Sequence, residues 1–304
     1  MAALTGAASF AQRARRRVLA HDARAFERYA QVLLVAMFLN IASGAFVRLT
    51  GSGLGCPDWP LCKGQPVPPF NYHPVIEFSN RAIALAGILA ALLTWLSARQ
   101  VGDRPARRLA GGVALLTFGQ IPLGAVTVLF DLNPVLVMNH FLVAVVATGL
   151  AAILLARMAA GAATRAPTWL AWLARISVLA AFALIVSGAL STAAGPHAGG
   201  EDIRRMGNLL DATYVHVRVA TTYIIIAALL LLVLQFGSWR PDRWRGLALA
   251  LIILLPLQAF IGEYQWHNQL PWWVVLAHVS VAAAAWIACV SLATRVVARR
   301  ATTV

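Results

Sequence analysis

The sequence predicts an all-α integral membrane protein: eight transmembrane helices forming two tandem four-helix bundles, related by a pseudo-twofold axis along the membrane normal. Three observations predict it. First, the 304-residue chain is 60% hydrophobic and only 12% charged, with a mean hydropathy of +0.74, unlike any soluble domain of that length. Second, it holds eight apolar runs, each near the roughly 20 residues that cross a bilayer core. Third, the pairs Gln120 and Gln258, Gly124 and Gly262, and His140 and His278 each lie 138 residues apart, and Ser43-Gly44-Ala45 returns as Ser187-Gly188-Ala189. A repeated unit with an even number of spans enters the membrane the same way up each time, which places the symmetry axis along the normal. Continuous apolar runs argue for helices over a barrel, whose strands would alternate.

The elements follow in order. Residues 1–30 carry Arg13, Arg15, Arg16, Arg17, Arg24 and Arg28 without a signal-peptide core or cleavage site, and read as a cytoplasmic basic tail; a transit peptide is the alternative. Span one covers 31–50 and span two 76–98, the latter opening with Glu77, Asn80 and Arg81. Span three (109–130) carries Gln120 and Gly124, and span four (135–157) carries His140. An Ala/Gly-rich connection, 158–169, joins the first bundle (31–157) to the second (170–294). There, span five covers 170–193, span six (211–235) carries His216 and Arg218, span seven covers 246–264, and span eight (272–294) carries His278. Residues 295–304 form a second tail.

The net charge of +14 invites a nucleic-acid reading, but its distribution excludes one. Arg99, Arg104, Arg107 and Arg108 fill the second connection, Arg157 and Arg165 flank the fourth, Arg240, Arg243 and Arg245 fill the sixth, and Arg295, Arg299 and Arg300 follow the last span. The odd connections hold only Lys63, Arg204 and Arg205. That is the positive-inside pattern, with both termini cytoplasmic and the odd connections outside.

Three of the seven histidines lie within spans: His140, His216 and His278. All are on even spans, about six residues in, or about 9 Å down at 1.5 Å per residue. A single buried histidine reads equally well as a neutral side chain bonded to a neighbouring helix. Two at one depth in one bundle, His216 and His278, can instead offer imidazoles to one heme iron. Zinc is excluded for want of further ligands at that depth. In the first bundle, the 138-residue offset maps His216 onto Phe78, whose nearest polar neighbours are Glu77 and Asn80, three apart on one helix face.

Phe46 to Cys62, FVRLTGSGLGCPDWPLC, followed by Ile76 to Arg81, IEFSNR, and by Gly195 to Gly199, GPHAG, resembles heme A synthase, in an actinobacterial-like branch; with the histidines, the resemblance covers all eight spans. It implies conversion of heme O to heme A by successive oxidations of one ring methyl to a formyl group. The C-terminal bundle would hold heme b between His216 and His278, and the N-terminal bundle would bind the substrate heme through His140, with Glu77 as the essential carboxylate. The family mostly has histidine where this chain has Asn80, and an amide is a poor iron ligand beside imidazole. Substrate heme would then be five-coordinate through His140, or Asn80 would bond a bound water; an inactive copy is the third reading.

Glu77 reads as a proton acceptor beside the reacting methyl, with an i, i+4 ion pair to Arg81 as the plainer role. Arg48, Arg81 and Arg218 are candidates for heme propionates, with snorkelling to the interface as the alternative. Cys56 and Cys62, in a connection read as extracytoplasmic, predict a disulfide that rigidifies the loop, with redox exchange as a sharper option. Cys289 reads as a small buried hydrophobe.

The expected partners are the heme O substrate, a heme O-forming enzyme, terminal oxidase assembly and the lipid bilayer of the cell membrane; the sequence leaves homo-oligomerisation open. Two other functions compete: a diheme cytochrome b-type electron relay, and a transporter with helices broken at Pro122 and Pro256.

Overall fold

The computed structural model describes residues 2–159, 166–200, 202–236 and 242–297, with side chains from residue 22 onward and excluding those of 242 and 243. Its eight helices are α1 (Ala2–Leu49), α2 (Tyr72–Val101), α3 (Arg104–Leu129), α4 (Pro134–Met158), α5 (Thr168–Ala194), α6 (Leu209–Phe236), α7 (Asp242–His267) and α8 (Trp272–Val297). Each is long and apolar enough to cross a membrane, so the protein is a multi-pass membrane protein. α1 continues without a break through the stretch expected as a separate tail. The expected linker 158–169 falls partly, and Arg165, Arg240, Arg299 and Arg300 wholly, outside the described residues.

Local chemistry explains where helices begin. Asp103 accepts a hydrogen bond from the Ala106 amide ahead of Pro105, and Asn133 accepts one from Val135 ahead of Pro134. Asn208 does the same for Leu210 and Asp211 at α6. All three act as N-caps, and α3 and α4 also carry proline in the first turn, where its missing N–H costs nothing. Pro122 and Pro256 sit inside α3 and α7, yet both helices run through. The mid-membrane breaks that a transporter reading requires are not there.

α1–α4 close into one bundle, α5–α8 into a second, and α4 and α8 meet at the centre, flanked by α1 and α5. Small residues fill the helix contacts. On α8 the buried set includes Ala283, Ala285, Ala288, Cys289 and Ala293, while Leu229, Leu232, Leu249 and Ile253 of α6 and α7 point outward. In lipid there is no gain in hiding leucine from the solvent, so close backbone approach decides the packing. At the seam the Trp286 indole donates to the Val145 carbonyl at 3.0 Å and lies against Gly149. The bundles differ at one edge: α2 packs along α3, whereas α6 and α7 barely touch.

The 138-residue repeat is visible in the backbone. α3 and α4 are joined through Asp131 and Leu132, both left-handed; α7 and α8 are joined through Gln269 and Leu270, also left-handed. Two non-glycine residues held at positive φ in each hairpin are a costly shape that recurs at the same spacing.

Candidate functional site

The first connection, residues 50–71, folds down over the mouth of the first bundle. Cys56 and Cys62 form the expected disulfide, and both are buried, 0% and 1% exposed. That burial does not suit an exposed pair ready for exchange. Within the loop the Asp58 carboxylate accepts from the amides of Lys63 (2.5 Å) and Gly64 (2.6 Å). These bonds, Gly64 foremost, hold Asp58 below its ordinary value of 3.8. A depressed folded value means the stabilisation is complete above that ordinary value and disappears as pH falls through the lowered one. Amide exchange of residues 56–65, corrected for intrinsic rate, should therefore quicken only below about pH 4, and Asp58→Asn should remove that dependence.

Glu77 lies directly beneath this loop, 4% exposed. One carboxylate oxygen accepts from the Cys56 amide at 2.7 Å and the other from Arg81 at 2.6 Å. Arg81 also donates to the carbonyls of Cys56 and Leu61, at 3.0 and 2.9 Å. The ion pair weighed against a catalytic role is thus present, and it fastens the loop to α2. Gly55 permits the approach: a Cβ there would fall 2.5 Å from the His73 backbone.

Arg48 is the second fastener. From the end of α1 it donates to the carbonyls of Thr192 and His197, both at 2.7 Å, so the first bundle grips the fifth connection. The Gly53 amide donates to Gly199 at 2.8 Å beside it. Arg218 lies exposed over the Tyr214 ring, 4.2 Å from its centroid, and bonds its hydroxyl. Two residues along a helix is about 200° around it, so Arg218 and His216 are on opposite sides. All three arginines thus have partners within the protein. Among the outer histidines, His73 bonds Ser52 at 2.9 Å, His197 bonds the Leu270 carbonyl at 2.8 Å and His267 bonds Glu263 at 2.8 Å, so they tie loops and helix ends.

His140, His216 and His278 sit six, seven and six residues after the starts of α4, α6 and α8, and Asn80 sits eight after the start of α2. That is about 9–12 Å along the axis for all four. Each meets a glycine of the preceding helix. A Cβ on Gly124 would lie 3.3 Å from His140 Cε1, one on Gly188 3.0 Å from His216 Cε1, one on Gly262 3.2 Å from His278 Cε1, and one on Gly44 3.9 Å from Asn80 Oδ1. Ser187 Oγ bonds His216 Nδ1 at 3.0 Å, and Ser43 Oγ donates to Asn80 Oδ1 at 2.7 Å. Asn80, not Phe78, is therefore the counterpart of His216. The offset of 138 fails for α2 because 40 residues separate Asn80 from Gln120 whereas 42 separate His216 from Gln258.

The residues fit a heme. Ser187 occupies Nδ1 of His216 and fixes the tautomer, leaving Nε2 for a metal. Nδ1 of His140 and of His278 is buried without a hydrogen-bond partner, a state that buried polar atoms rarely keep. His216 and His278 lie within electrostatic reach of each other. No cluster of three or more His, Cys, Asp or Glu suited to a bare metal ion occurs among the described residues.

Sequence reasoning noted Ser187 and Gly188 as a repeat but missed their role as the support of His216. The four-fold recurrence of glycine one helix before the site residue was the available signal. It yields a test: Gly188→Ala forces the His216 ring to move and should cost about 1–3 kcal/mol together with heme content, whereas Gly44→Ala, at ordinary contact distance, should leave thermal unfolding nearly unchanged.

The profile of a family named COX15-CtaA, described as cytochrome oxidase assembly protein, matches residues 27–74 and 69–290. A heme A synthase of Shewanella oneidensis is 26% identical over 82% of this chain and 89% of its own length. One from Alkalihalophilus pseudofirmus is 28% identical over 77% of this chain and 84% of its own. One from Symbiobacterium thermophilum is 37% identical over 34% of this chain and 35% of its own.

Proposed function

The chain belongs to the COX15-CtaA family of cytochrome oxidase assembly proteins, and from that premise we propose that it is a heme A synthase, a membrane oxidoreductase that converts a ring methyl of heme O to a formyl group by successive hydroxylations. The observation that carries the reading is the family match, which runs across both bundles. The diheme relay gains no support from it.

In this reading residues 31–157 form the substrate bundle and 170–294 the heme b bundle, with 158–169 the cytoplasmic linker and 1–30 and 295–304 the cytoplasmic ends. His216 and His278 would hold heme b, which when bound supplies a one-electron relay. Ser187 keeps His216 in the ligating tautomer, and Gly188 and Gly262 give the two rings their room. His140 would hold the substrate heme against Gly124. Each hydroxylation exchanges a C–H bond of the methyl for a C–O bond; with water as the oxygen donor it gives up two electrons to an external acceptor and two protons, one of them from the reacting carbon. Glu77 is the carboxylate that takes that proton, and Arg81 and the Cys56 amide hold it in place. Arg48 and Arg81 hold the disulfide-bearing loop over the mouth of the first bundle. We further place the protein in the cell membrane with both termini cytoplasmic and the heme sites toward the extracytoplasmic face, receiving heme O from a heme O-forming enzyme and passing its product to terminal oxidase assembly.

The test is co-expression with a heme O-forming enzyme, followed by heme extraction and mass analysis. A formyl-bearing heme that depends on this chain supports the reading. Unchanged heme O, with both hemes bound, refutes it.

A further inference from the structure

Four equivalent positions face the interior at one depth, and three of them are imidazoles. The fourth, Asn80, differs in kind. A carboxamide is a poor iron ligand beside imidazole, and the oxygen of Asn80 is already taken by Ser43 at 2.7 Å. Its amide nitrogen donates to no described residue, and Asn80 is not sealed off from space. One polar group near this position has no counterpart in the second bundle. Asn40, one turn before Ser43, carries a buried Oδ1 without a partner; Gln120 Oε1 on α3 is in the same state, but so is its match, Gln258 Oε1 on α7. The residue matching Asn40 in the second bundle, by the pairing of Ser43 with Ser187, is Leu184.

We propose that Asn80 is a hydrogen-bond donor over an open iron face of the heme held by His140, so that a small oxygen or anionic ligand binds there, while the site between His216 and His278 is closed to such ligands. This rests on reading the two bundles as heme sites. Ser43 fixes the amide with its oxygen turned away, which presents the N–H₂ group to the ligand. Asn80 is thus a positioning residue for the open coordination place, and its action is on an exogenous ligand rather than on iron.

The experiment uses the full chain in detergent loaded with hemin, followed by absorption and electron paramagnetic resonance spectra and a sodium fluoride titration. The expected result is two hemes per chain, one low-spin and indifferent to fluoride, one high-spin and fluoride-binding. His140→Ala removes the second and His278→Ala spares it. Asn80→His turns the high-spin heme low-spin and abolishes fluoride binding. Asn80→Leu keeps it high-spin but weakens fluoride about tenfold or more, as expected when a hydrogen bond to an anion is lost. Should leucine disturb the fold, seen as loss of the low-spin heme, Asn80→Ala must show the same weakening. Two low-spin hemes in the unaltered chain, or unchanged fluoride affinity in both variants, overturns the proposal. A stoichiometry of one heme per chain overturns the two-site reading beneath it, and is distinguished by heme content alone.

Discussion

Glu77→Gln will abolish heme O conversion while leaving the second bundle's heme in place. Glutamine keeps an oxygen that can accept from the Cys56 amide, so the loop stays anchored, but it cannot take a proton or neutralise Arg81. As the i, i+4 partner of an arginine whose side chain is only 20% exposed, it gives up a largely buried ion pair, a loss of about 1–3 kcal/mol that thermal unfolding will register. Activity, by contrast, should fall by about 10²–10⁴, the range for removing a general acid–base. Glu77→Ala is the harsher change. It leaves the buried Cys56 N–H unpartnered, at about 1–3 kcal/mol, and should loosen residues 50–71 as well as end the reaction. The comparison decides the role of Glu77: if it only fastens the loop, the glutamine variant will convert heme O nearly as well as the unaltered chain, and only the alanine variant will fail.

Some of this was legible in the sequence and some was not, for identifiable reasons. The spans were readable because membrane helices need only uninterrupted apolar length. The repeat was readable where the hairpin is the same length in both halves, as in Leu132 and Leu270. It misled at α2, where the stretch leading to the third span is two residues shorter than its match in the second half, so the counterpart of His216 is Asn80 rather than Phe78. The fasteners were invisible because their partners are distant in sequence and are backbone atoms: Arg48 reaches a carbonyl 149 residues away, and Glu77 an amide 21 residues away. No side-chain pattern announces a backbone partner. The same holds for the arginines expected at heme propionates. Their number and position were plain, but the loop carbonyls near them were not.

His278→Ala and His216→Ala will each remove the low-spin heme of the second bundle, and Ser187→Ala will weaken it without removing it. The three outcomes follow from where the side chains stand. His278 is backed by Gly262 on α7 and His216 by Gly188 on α5, so the two imidazoles come from different helix pairs, α5 with α6 and α7 with α8. Because α6 and α7 hardly touch, nothing in the protein substitutes for the missing ring: alanine leaves space beside a glycine, with no neighbouring imidazole to take its place. Ser187 touches only Nδ1, so its loss frees the ring to turn and lets the tautomer change. The expected effect is about 10–100-fold in heme affinity, as for other supports of metal-ligating histidines. Hemin titration of the three purified variants, read at the Soret band, separates them. If His278→Ala retains a full low-spin heme with unaltered affinity, the second bundle does not hold its iron between α6 and α8. The pairing of His216 with His278 then fails, whatever the first bundle does.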